Sequence, residues 1–426
     1  MTDIGKAMYA LIAELFPVCR SITGSGLRAT LRRIQQEIPL TLHEVPSRTP
    51  VLDWSVPNEW HINDAWIANA AGERVVDFRR SNLHVVNYST PVRQRMQLKD
   101  LKPHLFAIPD HPDWIPYRTS YYQESWGFCL SQRQLDALPD GTYDVCIDST
   151  LAPGALTYGE LCVAGTSSDE ILISTHCCHP SLANDNLSGI ALAVALARRV
   201  AGTTPAKSYR FLFIPGTIGS ITWLARNEQA VSRIKHGLVL TGVGDRGPLT
   251  YKQSRRGDAL VDRAATHVLK HRQGTPRVVA FSPYGYDERQ YCSPGFDLAV
   301  GRLTRTPHGE YPEYHTSADN LDFVTPESLA DAYAASLDIL DILENDQSYE
   351  NLSPKGEPQL GRRGLYQGIG GRGALPGSEM ALLWVLSYSD GRHSLLDIAD
   401  RAGLPFTPIK QAADALVAHQ LLRAVE

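Results

Sequence analysis

The stretch ILISTHCCHPSLANDNLSGIALAVALARRVA, residues 171–201, decides the fold of this chain. Its first residues predict a buried strand that ends at His176, and its apolar second half predicts a helix. YRFLFIPG at 209–216 and ITWLARNEQAVSRI at 221–234 repeat the strand and the helix. Because strands and helices that alternate in this way form parallel crossover units, the sequence predicts an α/β fold with a mostly parallel sheet and helices on both faces.

Four further regions surround the α/β pattern, which extends over residues 151–345. Residues 1–40 predict two helices around a glycine-containing turn. Residues 41–150 alternate short β-branched or aromatic runs with turn residues, so they predict an inserted β-rich module. Residues 346–376 are rich in Gly and Pro and predict a linker, and three helical patterns followed by a strand in residues 377–426 predict a winged-helix module.

The composition of the 426 residues excludes several classes of protein. The chain has 41 Lys and Arg against 46 Asp and Glu, a net charge of −5, which offers no general attraction for a nucleic acid. The first residues, MTDIGKAMYALIAELF, lack a basic leader and are too short to span a bilayer, so we expect a cytoplasmic protein without membrane contact. Seven sparse cysteines indicate reduced thiols rather than a disulfide framework.

Two polar loops could hold a metal ion. His176 ends the first predicted strand and Asp185 follows in the next loop, while His315 lies in PEYHTSADN before the last helix of the α/β region. Imidazole nitrogen and carboxylate oxygen are ligands that zinc accepts. The alternative is that Asp185 or Asn186 caps a helix and that His176 is a polar residue at a strand end.

A third loop, PYGYDERQY, carries the adjacent acids Asp287 and Glu288 before a predicted strand. Adjacent acids most often form a solvated turn, because Asp and Glu are rarely buried. The sequence alone therefore leaves open whether these two residues belong to the same site.

Residues 151–345 resemble the zinc aminopeptidase family, which includes bacterial leucyl aminopeptidases, glutamate carboxypeptidase and, on the same fold, glutaminyl cyclases. The resemblance rests on the segments ANDNLSG, YDERQY and HTSAD. It implies that His176 and His315, the latter with Asp319, bind zinc and that Asp185 is the metal-bridging carboxylate. It also implies that Asp287 belongs to a loop that binds substrate.

The chain departs from the family at two places. Gly216 and Thr217 stand where the family has a general-base glutamate and a ligand glutamate. Cys178 stands where the family has an aspartate that orients the first histidine. Since two zinc ions need more anionic ligands than remain, we expect a single ion.

Some residue must still transfer a proton in the reaction. Glu288 is the first candidate, by its position in the family's motif, and Glu313, two residues before His315, is the second. His179 is either a fourth ligand or an ordinary loop histidine.

The whole chain looks like a branch of the family that has an inserted β module and a C-terminal winged helix. CRSITGSG, SRRG, PGTIGSITWL and DERQYCSPGF carry this resemblance. It implies that residues 1–40 belong to the catalytic domain, and several members are associated with polysaccharide or natural-product gene clusters. Arg20, Arg255 and Arg256 could grip an anionic substrate group, although an arginine pair is more often surface charge.

These observations predict a zinc-dependent hydrolase that cleaves an amide in a small aminoacylated or acylated metabolite. A zinc-dependent acyl transferase or cyclase and an inactive ligand-binding pseudoenzyme are the alternatives. The C-terminal module predicts protein contact or self-association rather than DNA binding. The helix in the position of a recognition helix, TPIKQAADALVAHQ, offers one Lys and an Asp, whereas DNA contacts normally need several basic or amide side chains.

Overall fold

The structure, a computed structural model, describes residues 2–365 and 377–425. Helices and strands are numbered along the chain. The strands in these ranges are β1 Thr41–Pro46, β2 Pro50–Val51, β3 Trp54–Ser55, β4 Glu59–Ala68, β5 Arg74–Asp77, β6 Val92–Gln97, β7 Leu105–Phe106, β8 Phe128–Cys129, β9 Thr142–Ala152, β10 Ala155–Val163, β11 Glu170–His176, β12 Ser208–Ile214, β13 Ile234–Leu240, β14 Thr250–Lys252, β15 Arg277–Val279, β16 Val300–Thr304, β17 Ser348–Asn351, β18 Asp390–Ser394 and β19 Leu422–Ala424.

The helices in the same ranges connect these strands or precede them. They are α1 Thr2–Leu15, α2 Ser25–Ile34, α3 Leu98–Leu101, α4 Gln132–Asp136, α5 Gly189–Ala201, α6 Ile218–Arg226, α7 Glu228–Val231, α8 Leu260–Lys270, α9 Glu288–Tyr291, α10 Pro326–Asn345, α11 Gly377–Tyr388, α12 Leu395–Ala402 and α13 Phe406–Ala418. No helix of the described residues is long and apolar enough to cross a membrane.

The chain divides into two compact units. One unit comprises Met1–Ala259 and Arg277–Ala334, and the other comprises Leu260–Pro276 and Ala335–Glu426. This division does not separate residues 41–150 from the α/β region, and it groups α8 with the C-terminal residues. The domain bounds expected from the sequence therefore stay a prediction, and residues 366–376 of the expected linker lie outside the described residues.

The first unit contains the predicted α/β sheet, in the order β1-β10-β12-β11-β13-β16-β14-β15. The four central strands β12, β11, β13 and β16 are parallel, which confirms the mostly parallel α/β fold. Strand β11 is buried along its whole length, as a central strand covered on both faces should be. The carboxyl ends of such strands are where ligands gather in open sheets.

The inserted residues form smaller sheets of their own, with one exception. Strands β5, β4, β9 and β6 make an antiparallel sheet, and β2 pairs with β3. Strand β1, which the sequence placed in the inserted module, instead pairs with β10 at the edge of the large sheet. A two-residue period predicts a strand but does not identify its partner in a sheet.

The second unit contains the winged-helix elements. Strand β17 pairs with β18 and with β19, and helices α11, α12 and α13 accompany this small sheet. Strand β17 lies in the stretch from which the sequence predicted only a linker. Such a short strand has no period of its own and depends on pairing with β18 and β19, which lie far along the chain.

Candidate metal centre

The three predicted ligands come together at the carboxyl end of β11. Nε2 of His176 lies 2.8 Å from Oδ1 of Asp185, and Nε2 of His315 lies 3.1 Å from Oδ2 of the same carboxylate. Asp185 is completely buried and His176 is 1% exposed. The structure therefore places two distant imidazoles against one buried carboxylate.

A third imidazole, from His179, reaches the same carboxylate. Its Nδ1 lies 3.3 Å from Oδ2 of Asp185, and its ring centroid is 4.8 Å from that of His176. One ligand atom from each of His176, His179 and Asp185 lies within 4.8 Å of the others. Of the two alternatives for His179 that the sequence left open, the geometry favours a ligand.

Asp319 fixes the loop that carries Asp185. Its carboxylate accepts hydrogen bonds from the backbone N–H of Asn184 at 2.6 Å and of Asp185 at 2.9 Å. Burial raises the pKa of Asp319 to about 8, although these two hydrogen bonds act in the opposite direction. His315, in the same HTSAD segment, has a φ of 56°, a left-handed conformation that a residue other than glycine adopts rarely and most often at a functional site.

The charges of this cluster suit a cation. Burial opposes ionisation of Asp185, but His179, His176 and His315 outweigh it and hold the pKa of Asp185 well below its usual range. Burial lowers the pKa of His315, which favours its neutral form. Imidazole nitrogens around an ionised carboxylate form a nitrogen and oxygen donor set that fits zinc.

Cys178, which stands where the family has an aspartate that orients the first histidine, does not contact the His176 ring through a hydrogen bond in the described residues. Sγ of Cys178 lies 3.8 Å from the carbonyl oxygen of Gly216, to which the thiol donates. Nδ1 of His176 instead lies 3.3 Å from the side-chain nitrogen of Asn186, which also donates to the His176 carbonyl at 3.0 Å. The orienting contact is thus made by an amide on the Asp185 loop.

Arg20 holds the backbone of the His179 loop. Its Nε donates to the carbonyl of His179 at 2.7 Å and its Nη1 to the carbonyl of Leu15 at 2.7 Å. The side chain is 1% exposed, and burial lowers the pKa of Arg20 to about 10. These contacts give Arg20 a positioning role, and its predicted contact with substrate stays a prediction.

Asp287 lies beside the position where the family has its acidic pair. A Cβ atom on Gly216 would lie 3.1 Å from Cβ of His176 and 3.2 Å from Oδ2 of Asp287. Oδ1 of Asp287 accepts a hydrogen bond from Ser220 at 2.7 Å, whereas Oδ2 has no partner among the described residues. Burial raises the pKa of this fully buried carboxyl to about 7.

Glu288 is engaged in an ion pair. Its Oε1 lies 2.9 Å from Nζ of Lys252 and 3.6 Å from Nη1 of Arg302, and its side chain is fully buried. Its Oε2 has no partner among the described residues, so the ion pair holds one oxygen only and the predicted proton transfer by Glu288 stays a prediction. Glu313, the second candidate, is partly exposed, and its backbone carbonyl accepts a hydrogen bond from Thr316.

Arg255 and Arg256, the other predicted substrate contacts, pair with Asp297. Nη1 of Arg255 lies 2.7 Å from Oδ1 of Asp297, Nη2 of Arg256 donates to the Asp297 carbonyl at 2.6 Å, and the Arg255 side chain is 45% exposed. Such an ion pair with a partly exposed carboxylate is typical of charges at the protein surface. Their predicted role has no support from the geometry.

Tyrosine rings surround the imidazoles. Tyr286 stacks on His176 with centroids 5.1 Å apart, and Tyr314 stacks on His315 at 3.9 Å. Tyr117, from the inserted residues, contacts His315 at 5.0 Å, and its backbone N–H donates to the His315 carbonyl at 2.7 Å. The sequence analysis missed these tyrosines, although Tyr286 and Tyr314 directly precede Asp287 and His315.

Comparison with known proteins identifies related chains. The family model described as "Domain of unknown function (DUF4910)" matches residues 9–346, and a winged helix-turn-helix model matches residues 347–424. A protein of Clostridium acetobutylicum named "Putative polysaccharide biosynthesis protein with aminopeptidase-like domain" is 51% identical over 424 residues, which cover 100% of this chain and 98% of the relative.

Solved structures show the same fold. The crystal structure of a "putative peptidase" from Clostridium acetobutylicum has a TM-score of 0.95 and 50% identity, and the match covers 100% of this chain and 97% of that one. A zinc aminopeptidase from Bacillus subtilis has a TM-score of 0.57 and 14% identity, with coverage of 79% and 94%. The second likeness shows the aminopeptidase fold, and the first covers the inserted and C-terminal residues as well.

Proposed function

This chain belongs to the family described as a domain of unknown function (DUF4910), and on that premise we propose that it is a zinc-dependent hydrolase of a small aminoacylated or acylated metabolite. The aminopeptidase fold suggests a hydrolase. One observation carries the proposal: three imidazoles, of His176, His179 and His315, lie against the single buried carboxylate of Asp185. Hydrolysis of an amide is the reaction that such a centre supports best.

His176, His179, Asp185 and His315 would hold one zinc ion. When bound, zinc polarises a carbonyl and lowers the pKa of water towards about 7. A mononuclear centre follows from the donor set, because Asp185 is the only carboxylate that the three imidazoles share among the described residues. The loop after β12 offers Gly216 and Thr217, which bring no negative charge to a second ion.

Asp287 is the residue that we assign to proton transfer. Its Oδ2 has no hydrogen-bond partner among the described residues and lies 3.2 Å from the position that a Cβ atom on residue 216 would take, which is 3.1 Å from Cβ of His176. Ser220 holds the other oxygen, so the carboxyl is fixed in orientation. A carboxyl with a pKa near the working pH can accept a proton from the attacking water and return it to the leaving amine.

The substrate chemistry follows from the surroundings of the centre. Tyr117, Tyr286 and Tyr314 pack around the imidazoles and limit the space for bulk water. The relative's name refers to polysaccharide biosynthesis, which supports an amide on a saccharide building block rather than in a long peptide. Several members of the branch that this chain resembles are associated with polysaccharide or natural-product gene clusters, which agrees with that choice.

The test is an assay of the purified chain against a panel of aminoacyl and N-acyl amides, including N-acylated amino sugars. We expect release of free amine that is lost with a chelator and restored by zinc. A parallel assay contains hydroxylamine, and a hydroxamate as the main product would identify a transferase instead. If the zinc-loaded protein binds an amide of the panel but hydrolyses none of them, the chain is a binding protein rather than an enzyme.

A further inference from the structure

A groove of about 630 Å³ lies beside the candidate metal centre and has no role in the proposed reaction. The segment that follows α1 forms one wall, and inserted residues from β4 and from the loop after β5 form the other. Ser181 and Ser317 also line it, and each is two residues from a histidine of the centre, His179 or His315. The volume is that of a site for a small ligand.

The charge of the groove is positive. Arg79 and Arg80 line it, and its lining contains no Asp or Glu. Arg79 is 70% exposed and lies 3.3 Å from Asp64, which Arg74 also pairs at 3.0 Å. Arg80 is exposed, and no carboxylate of the described residues pairs with it. An unpaired guanidinium fork matches the geometry of a carboxylate or a phosphate.

The groove also offers apolar rings. Nδ2 of Asn82, in its wall, donates to the carbonyl of Pro17 at 3.2 Å and so holds the segment that follows α1 against the loop after β5. Phe16 and Phe78, both half-buried, add ring surface against which the C–H face of a sugar can pack.

We propose that this groove is a binding site for an acidic saccharide. The ligand would place its anionic group on Arg80, with Arg79 as the second cation, and would pack its C–H face against Phe16 and Phe78. The anionic group is a uronate carboxylate or a sugar phosphate, since both present oxygen pairs to a guanidinium. The site is distinct from the metal centre, so it stands or falls independently of the proposed hydrolysis.

The experiment is calorimetric titration of the full chain with three probes: digalacturonate, glucose 1-phosphate and maltose. We expect at least one acidic probe to bind and maltose to bind at least about tenfold more weakly, because a hydrogen bond to a charged group is worth about one factor of ten or more. Binding of digalacturonate alone assigns the carboxylate, and binding of glucose 1-phosphate alone assigns the phosphate. Equal binding of maltose, or no binding of either acidic probe, overturns the proposal.

Variants locate the site. The Arg79→Ala/Arg80→Ala double variant should weaken the acidic probe by at least about tenfold, and Arg80→Ala alone should account for most of that loss. Arg32→Ala removes an exposed arginine that does not line the groove and should leave binding unchanged. His176→Ala should also bind the probe as the native chain does. Loss of binding in His176→Ala, or native binding in the double variant, would move the ligand to another site and contradict the proposal.

Discussion

The loops that follow β11 and β12 lie side by side, because His176 pairs in register with Ile214, yet they differ in charge. The first loop presents His176, His179 and Asp185, and the second presents Gly216 and Thr217. Gly216 is closely approached: a Cβ atom there would lie 3.1 Å from Cβ of His176 and 3.2 Å from Oδ2 of Asp287, which comes from a different segment. The contrast teaches that metal ligands and proton transfer can be carried by separate elements, so that one can change while the other is kept.

The largest expected effect concerns the charged loop. Replacing Asp185 by Asn removes the carboxylate that all three imidazoles contact, so we expect no detectable amide hydrolysis. Zinc affinity should fall by well over about 100-fold, because loss of a residue that only supports a ligand already costs up to that factor. Turnover and zinc titration check this. The matched control, Asp169→Asn, changes an exposed acid and should retain native values.

The next effect concerns Asp287, which lies beside the uncharged loop. Asp287→Asn keeps the shape and the Ser220 contact but cannot take up a proton, so kcat should fall by about 10²- to 10⁴-fold while zinc content stays native. Ser220→Ala, which removes only the hydrogen bond to Asp287, should cost less. If Asp287→Asn also loses zinc, the carboxyl belongs to the metal site and the division between the two loops fails.

Glu288→Gln separates the two adjacent acids. Because it leaves Lys252 buried without its counter-charge, we expect the free energy of unfolding to fall by about 3 kcal/mol, with kcat within a few-fold of native. Chemical denaturation and turnover measure the two quantities. The Lys252→Met/Glu288→Met double variant should recover part of the stability, and a large loss of kcat with unchanged stability would restore Glu288 as the proton-transfer residue.

A smaller effect is expected at the support of the charged loop. Arg20→Lys keeps a positive charge but cannot donate to both the His179 and the Leu15 carbonyls, and we expect zinc affinity to fall by about tenfold. Zinc titration measures this, with Arg255→Lys as the control at a half-exposed arginine. Equal effects of the two substitutions would show that Arg20 does not position His179.

The smallest effect is a dependence of stability on pH in the metal-free protein. The pKa of Asp287 is raised by burial from 3.8 to about 7, so its contribution is fully present below pH 3.8 and is lost as the pH rises through 7. The native chain should therefore lose stability relative to Asp287→Asn between about pH 4 and pH 7. Unfolding midpoints of both chains across that range measure the difference, and parallel curves would contradict the raised pKa.

Much of this arrangement could be predicted from the sequence. Strand β11 and helix α5 follow from their apolar patterns, and a strand end at His176 followed by an acidic loop predicts where ligands gather. His315 could be predicted as a metal ligand from the HTSAD motif, although no hydrophobic period marks its position.

Other parts could not be predicted, because they depend on contacts between distant segments. Nothing in the sequence joins Glu288 to Lys252 or brings Tyr117 of the inserted residues to His315. Asp287 was recognised in its motif, but its place beside Gly216 depends on the packing of two loops. Pairing of buried charges and rings is a property of tertiary structure, which a local pattern does not determine.

The most direct test of the central claim is the zinc content of the purified chain after loading with excess zinc and gel filtration, measured by inductively coupled plasma mass spectrometry. We expect one zinc per native chain and none in the Asp185→Asn variant. A native chain that retains no zinc, or a variant that retains as much as the native chain, would contradict it.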